Sequence, residues 1–192
     1  MSSYDIPHFL SVSTSWEIPV GPGKALLNHG PGAWILGGWQ VNTIAQLRSG
    51  QPYNLVVTGD VANIGNNTGG AGSSTRNYAR PNLVGDPFLS HPTSDEYFNI
   101  AAFAIPTFSY GNFGRNVLRS SSVKTVDFSL FKTLPLGAET RRLELRAEAF
   151  NVLNIANFAA PSGVTIGVAG AGRVTTLATL PRTLQLGMRF AF

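Results

Sequence analysis

The densest group of chemistry-bearing side chains in this 192-residue sequence is Arg142, Glu144, Arg146 and Glu148. Two nearby carboxylates could serve general acid–base catalysis, but one of them would have to stay protonated, and flanking arginines hold both ionised. A spacing of two puts all four on one side of a strand, where opposite charges pair along the chain and with Asp127 or Arg189 on neighbouring strands. The expectation is a structural charge ladder. His8, His29 and His91 stand in unrelated segments with no ligand spacing, so no metal site is predicted. The absence of cysteine removes thiolate nucleophiles, disulfides and thiolate zinc centres. Gly167-Val168-Ala169-Gly170-Ala171-Gly172 lacks the strand-then-helix setting and the lysine of a phosphate loop. Asp60, Asn63, Asn66 and Asn67 do not follow calcium-loop spacing, and there is no Gly-x-Ser-x-Gly elbow. Neither an enzyme nor a cofactor is expected.

Charged residues make up only 12% of the chain against 43% apolar, with 21 glycines and 12 prolines. That charge content is about half of what a soluble domain carries, so much of the surface is hidden or faces something other than water. Disordered chains are poor in apolar residues and rich in charge, the opposite of this composition. The net charge of +4 is scattered rather than gathered in a basic run, which predicts no nucleic-acid partner. A membrane helix needs about 20 predominantly apolar residues, and runs such as Ala101 to Ile105 fall far short.

Apolar residues instead recur with a period of two, the mark of strands with one apolar and one polar face. Leu10, Val12, Trp16 and Ile18 alternate with Ser11, Ser13, Ser15 and Glu17. From Gly38 to Arg48, Trp39, Val41, Thr43, Ala45 and Leu47 oppose Gln40, Asn42, Gln46 and Arg48, with Ile44 the exception. A turn at Ser49–Pro52 leads to a third strand begun by Tyr53, Leu55 and Val57. The fourth, Val123 to Leu134, sets Val126, Phe128 and Leu130 against Thr125, Asp127 and Ser129. The fifth, Arg141 to Val152, sets Leu143, Leu145, Ala147 and Ala149 against the charge ladder; its composition also suits a helix, but strict alternation makes no helical stripe. The sixth runs through Leu184, Leu186, Met188, Phe190 and Phe192.

Counted this way, tight turns at Ser49–Pro52 and Pro135–Thr140 alternate with long links near 20–37, 59–122 and 153–181. An all-β, antiparallel up-and-down meander of six strands follows, with tight turns at one end and long loops at the other. Outer-membrane barrels have this asymmetry, and strands of about ten residues span a bilayer when tilted. Trp16 and Trp39 flank one long loop and form an expected girdle at the outer interface; Tyr53, Phe190 and Phe192 would mark the opposite one. The Gly- and Asn-rich loops are expected to offer little apolar surface of their own.

Several ordered segments make the sequence similar to the C-terminal part of TonB-dependent outer-membrane receptors with a carboxypeptidase-regulatory-like N-terminal domain, a type common in Acidobacteria. They are Asp5-Ile6-Pro7-His8, Leu36-Gly37-Gly38-Trp39-Gln40-Val41, Ser49-Gly50-Gln51-Pro52-Tyr53, Arg80-Pro81-Asn82-Leu83, Phe98-Asn99 with Ala102-Phe103, Gly111-Asn112-Phe113-Gly114-Arg115-Asn116, Arg146 through Asn154, and Gln185 through Phe192. The resemblance implies one partial barrel domain over residues 1–192 in the bacterial outer membrane. Its implied partners are outer-membrane lipid, the rest of the barrel and plug, and an extracellular ligand of unknown identity. It also implies that Asp127, Arg142, Glu144, Arg146, Glu148 and Arg189 line the lumen. Leu184, Leu186, Met188, Phe190 and Phe192 resemble the terminal signal read by the barrel-assembly machinery.

A full family member also carries a signal peptide, a TonB-contacting segment, a plug and a barrel of twenty-two strands. None of the first three is read here, so the expectation is a fragment that does not transport by itself. The competing reading is a soluble β-sandwich binding module, perhaps for carbohydrate, with Trp34, Tyr78, Tyr97 and Tyr110 as stacking residues.

Overall fold

A computed structural model describes residues 2–27, 29–63, 79–137 and 141–192. Tyr78, Asn66 and Asn67, singled out above, lie outside the described residues, as does the end of the Pro135–Thr140 turn. The chain divides into two units, one formed by His8–Arg48, Val123–Ala156 and Thr179–Phe192, the other by Met1–Pro7, Ser49–Ser122 and Asn157–Ala178.

The first unit is a five-stranded sheet. Its strands are β1 (Phe9–Glu17), β2 (Trp39–Arg48), β3 (Val123–Pro135), β4 (Arg142–Phe150) and β5 (Thr183–Ala191). They lie in chain order, each antiparallel to the next. The all-β up-and-down architecture expected from the period of two is the one that forms. Arg142–Phe150 is a strand, which settles the helix alternative for that segment.

The third predicted strand does not join this sheet. Arg48 pairs with Val123, so β2 lies directly beside β3 and everything between them leaves the sheet. Pro52–Tyr53 and Val56–Val57 are two-residue strands of the other unit, paired with Leu118–Arg119 and, in parallel, with Thr165–Ile166. Pro52 has no N–H to give a ladder, and the apolar run from Tyr53 is too short to cross a bilayer.

Losing one strand from the count reverses the polarity of what precedes it. Residues 49–122 and 151–182 both leave from the end marked by Arg48, Val123, Phe150 and Thr183. The 18–38 link lies at the opposite end, beside the short connection from Pro135 to Arg142. Trp16 and Trp39 therefore share an end with Phe190 and Phe192, contrary to the expected opposition.

The 18–38 link contains a helix the periodicity did not reveal, α1 (Gly30–Leu36), which has proline in its first turn and ends at Gly37. Seven residues are too few to display a helical period. Gly38 then turns the chain into β2 with φ +69°, and a Cβ there would lie 2.4 Å from the Thr133 carbonyl oxygen. The backbone must be glycine for β2 and β3 to meet at this corner.

The second unit has a core of its own. Leu55, Phe98, Ala102, Phe113 and Leu118 are almost fully buried. Phe98 meets Phe103 edge-on at 5.7 Å between centroids, and Phe103 meets Phe113 the same way at 4.9 Å. Such pairs contribute about 0.5–1.5 kcal/mol beyond area burial. The segments expected to offer little apolar surface thus fold around a cluster of edge-on phenylalanines, Phe98, Phe103 and Phe113.

Candidate functional site

In an antiparallel pair, residues directly opposite share a face. The register aligns Trp16 with Val41, Leu130, Ala147 and Leu186, and the next row aligns Trp39 with Lys132, Leu145 and Met188. One continuous apolar face results, carrying Leu10, Val12, Val126, Phe128, Leu143 and Phe190 as well. Much of it is uncovered: Trp16 is 60% exposed, Leu186 84% and Met188 75%. β1, β2, β4 and β5 have nine or ten residues, the length of a tilted membrane strand.

The opposite face is polar. Glu144 accepts from Arg142 at 3.0 Å and from Arg146 at 3.2 Å, and Arg189 on β5 lies 4.0 Å away. The ladder thus converges on one carboxylate. Arg146 also lies 5.1 Å over the Phe131 ring, in register opposite it. Glu148 shares a row with Ser129 and Gln185 and has no ion pair among the described residues. Asp127, expected to pair with an arginine, instead accepts the backbone N–H of Asn151 at 2.8 Å.

Two residues unremarked in the sequence sit on the apolar face: Lys124 and Lys132. Lys132 is 5% exposed. Its ammonium donates to the carbonyl oxygens of Trp34 at 3.0 Å and Ile35 at 2.8 Å, and to that of Gly37. It also lies 5.1 Å over the Trp39 ring. The signal that could have found it is its parity: Lys132 continues the apolar series Val126, Phe128, Leu130, where a cation must be accounted for.

Tyr53 lies in the second unit and is 8% exposed, so it is not on the sheet's apolar face with Trp16 and Trp39. Burial, with the nearby Tyr97 phenol adding to it, pushes its hydroxyl above the ordinary tyrosine range. It borders an open cavity of about 600 Å³ whose lining includes Asn54, Arg80, Arg115 and Asn116. Among the described residues the two arginines have no ion pair, and buried Asn54 Oδ1 has no hydrogen-bond partner.

A family model described as an outer membrane beta barrel domain matches residues 1–185. The chain belongs to this family. The uncovered apolar face of the sheet is therefore the lipid-facing surface of a barrel wall, and the barrel domain is a component of the bacterial outer membrane. No curated protein matches the chain, and no solved structure does.

The sandwich alternative needs a second sheet over the apolar face. Among the described residues no other sheet exceeds two strands. Trp34 belongs to the sheet unit of the barrel domain, whereas Tyr97 and Tyr110 belong to the other. Tyr97 shares a hydrogen bond between its hydroxyl and that of Ser121 at 2.8 Å.

Proposed function

We propose that the chain is the C-terminal barrel segment of a TonB-dependent receptor, contributing wall and ligand-facing loops to nutrient uptake and inactive in transport by itself. The observation that carries this reading is the asymmetry of the sheet. Two long links, 49–122 and 151–182, leave from one end and largely belong to a packed unit with an arginine-bearing cavity, while the other end has the shorter 18–38 link, with α1, and the short connection from Pro135 to Arg142. Long, structured loops on the outside and short turns on the periplasmic side are what a receptor wall requires. Arg80 and Arg115 suit a small anionic ligand or one with an anionic group.

In this reading the polar face, with Glu144 gathering three arginines, lines the lumen. β5 carries the assembly signal: Leu184, Leu186, Met188, Phe190 and Phe192 are all more than half exposed, and β5 is an edge of the sheet. An edge with no proline and a single charge, Arg189, is open to a partner strand. The partners are outer-membrane lipid, the assembly machinery, the remaining barrel and plug, and the ligand.

The test is uptake of labelled glycan fragments, peptides and metal chelates by cells whose outer membrane holds the polypeptide carrying this chain. Uptake that stops when the proton-motive force is collapsed is the expected result. Uptake indifferent to that force would mean a passive pore instead.

A further inference from the structure

The barrel domain has two lysines on its lipid-facing side, Lys124 and Lys132, which hydrocarbon should not accept. Near the midplane Arg or Lys on that face costs about 2–4 kcal/mol, falling to about 0–1 at the interfaces. Lys132 lies one row from the end of the face, opposite Trp39 and Leu145, and its ammonium reaches the end carbonyls of α1. Those carbonyls lack partners within the helix, and their dipole favours a cation. Trp39, on the same face, donates its indole N–H to the Ile35 carbonyl at 3.3 Å. Two side chains of the apolar face therefore fasten the end of α1, and they fasten it on the lipid side of the sheet.

The residues thus held are themselves apolar and uncovered: Trp34 is 49% exposed, Ile35 59% and Leu36 57%. They adjoin the lipid-facing surface already described. We propose that α1 is an interfacial foot, which rests Trp34, Ile35 and Leu36 in the headgroup–acyl boundary of the phospholipid leaflet at the tight-turn end of the barrel. Lys132 is its latch. Tryptophan favours that depth because its ring is apolar and its N–H polar. The latch also explains a lysine of apolar parity: its charge is spent on the helix, and its stem crosses the hydrocarbon edge. The inference uses the outer-membrane location and does not depend on transport.

The chain has three tryptophans and no cysteine, so position 35 can be labelled alone. Ile35→Cys, carrying a polarity-sensitive fluorophore, would be inserted with the full chain into phosphatidylethanolamine/phosphatidylglycerol vesicles. Its emission would be followed with iodide in the water and with lipids brominated near the headgroup or near the chain ends. The foot predicts blue-shifted emission, severalfold stronger quenching by shallow bromines than by deep ones, and little effect of iodide. Adding Lys132→Gln should raise iodide quenching severalfold, while Lys132→Arg should restore most of the protection. Iodide quenching as strong as for a fluorophore in free solution, with no bromine effect, would overturn the proposal. So would a deep position unaffected by Lys132→Gln.

Discussion

Asp127 on β3 holds the backbone N–H of Asn151, the residue just after β4, at 2.8 Å. Asn151 is 4% exposed with φ +49°. Its amide donates to the Ile155 and Leu180 carbonyls at 3.0 and 3.1 Å and accepts from Ile155 N–H at 3.1 Å. One asparagine thus fixes where the 151–182 link leaves the sheet and returns. A carboxylate assigned from the sequence to a charge ladder is in fact the cap of this junction.

Asp127→Ala should therefore destabilise the barrel domain by about 1–3 kcal/mol, the cost of leaving a buried donor unpaired. Asp127→Asn keeps an acceptor and should cost less. Urea titration of the lipid-inserted chain measures both. Equal behaviour of the two variants would return Asp127 to the ladder.

Gly38→Ala meets two obstacles together, a positive φ and the Thr133 carbonyl. A left-handed conformation alone costs an alanine about 1–2 kcal/mol, and the 2.4 Å approach adds to it. The same titration should show a loss greater than that figure. Gly59→Ala, with positive φ but open space around it, should lose only the conformational part.

Tyr53 gives a prediction in pH. Its hydroxyl is raised chiefly by burial, so the folded state favours the neutral phenol. The stability this contributes is complete below the unfolded value of about 10 and is lost as pH rises above it. Absorbance of ionised phenol should show one of the five tyrosines titrating last. Tyr53→Phe should remove that late step and lessen the alkaline sensitivity of its unit. A variant that leaves the latest step in place would assign it elsewhere.

The strands of the sheet were legible because each is half-exposed to two different media, so its side chains must alternate in polarity. Arg142–Phe150 and Thr183–Ala191 are as regular in the structure as in the sequence. The short strands around Tyr53 were misread because a buried apolar run of a few residues looks the same whether it crosses a sheet or lines a small core. That misreading propagated, since one strand too many inverts the ends of a meander, and with them the position of Trp16 and Trp39. Helix α1 and the role of Lys132 were hidden for a different reason. Their meaning lies in a contact between residues 34–37 and 132, and no local pattern encodes it. The cavity beside Tyr53, Arg80 and Arg115 is likewise assembled from distant segments.

Sidedness can be tested energetically. Ala147 lies between Leu130 and Leu186 on the apolar face, and Ser129 lies beside Glu148 on the polar one. Ala147→Arg should cost about 2–4 kcal/mol in lipid. Ser129→Arg gains a carboxylate neighbour and should cost far less. Matching penalties would contradict the assignment of faces.

The most direct measurement uses the absence of native cysteine. Single cysteines from Arg142 to Phe150, spin-labelled in the lipid-inserted chain, report collision with oxygen dissolved in the bilayer and with a water-soluble nickel chelate. Lipid on one face and an aqueous lumen on the other predict a period of two. Leu143, Leu145, Ala147 and Ala149 should favour oxygen, and Glu144, Arg146 and Glu148 the chelate. Uniform access to the chelate along the strand, or the opposite parity, would contradict a barrel wall with this apolar face on lipid.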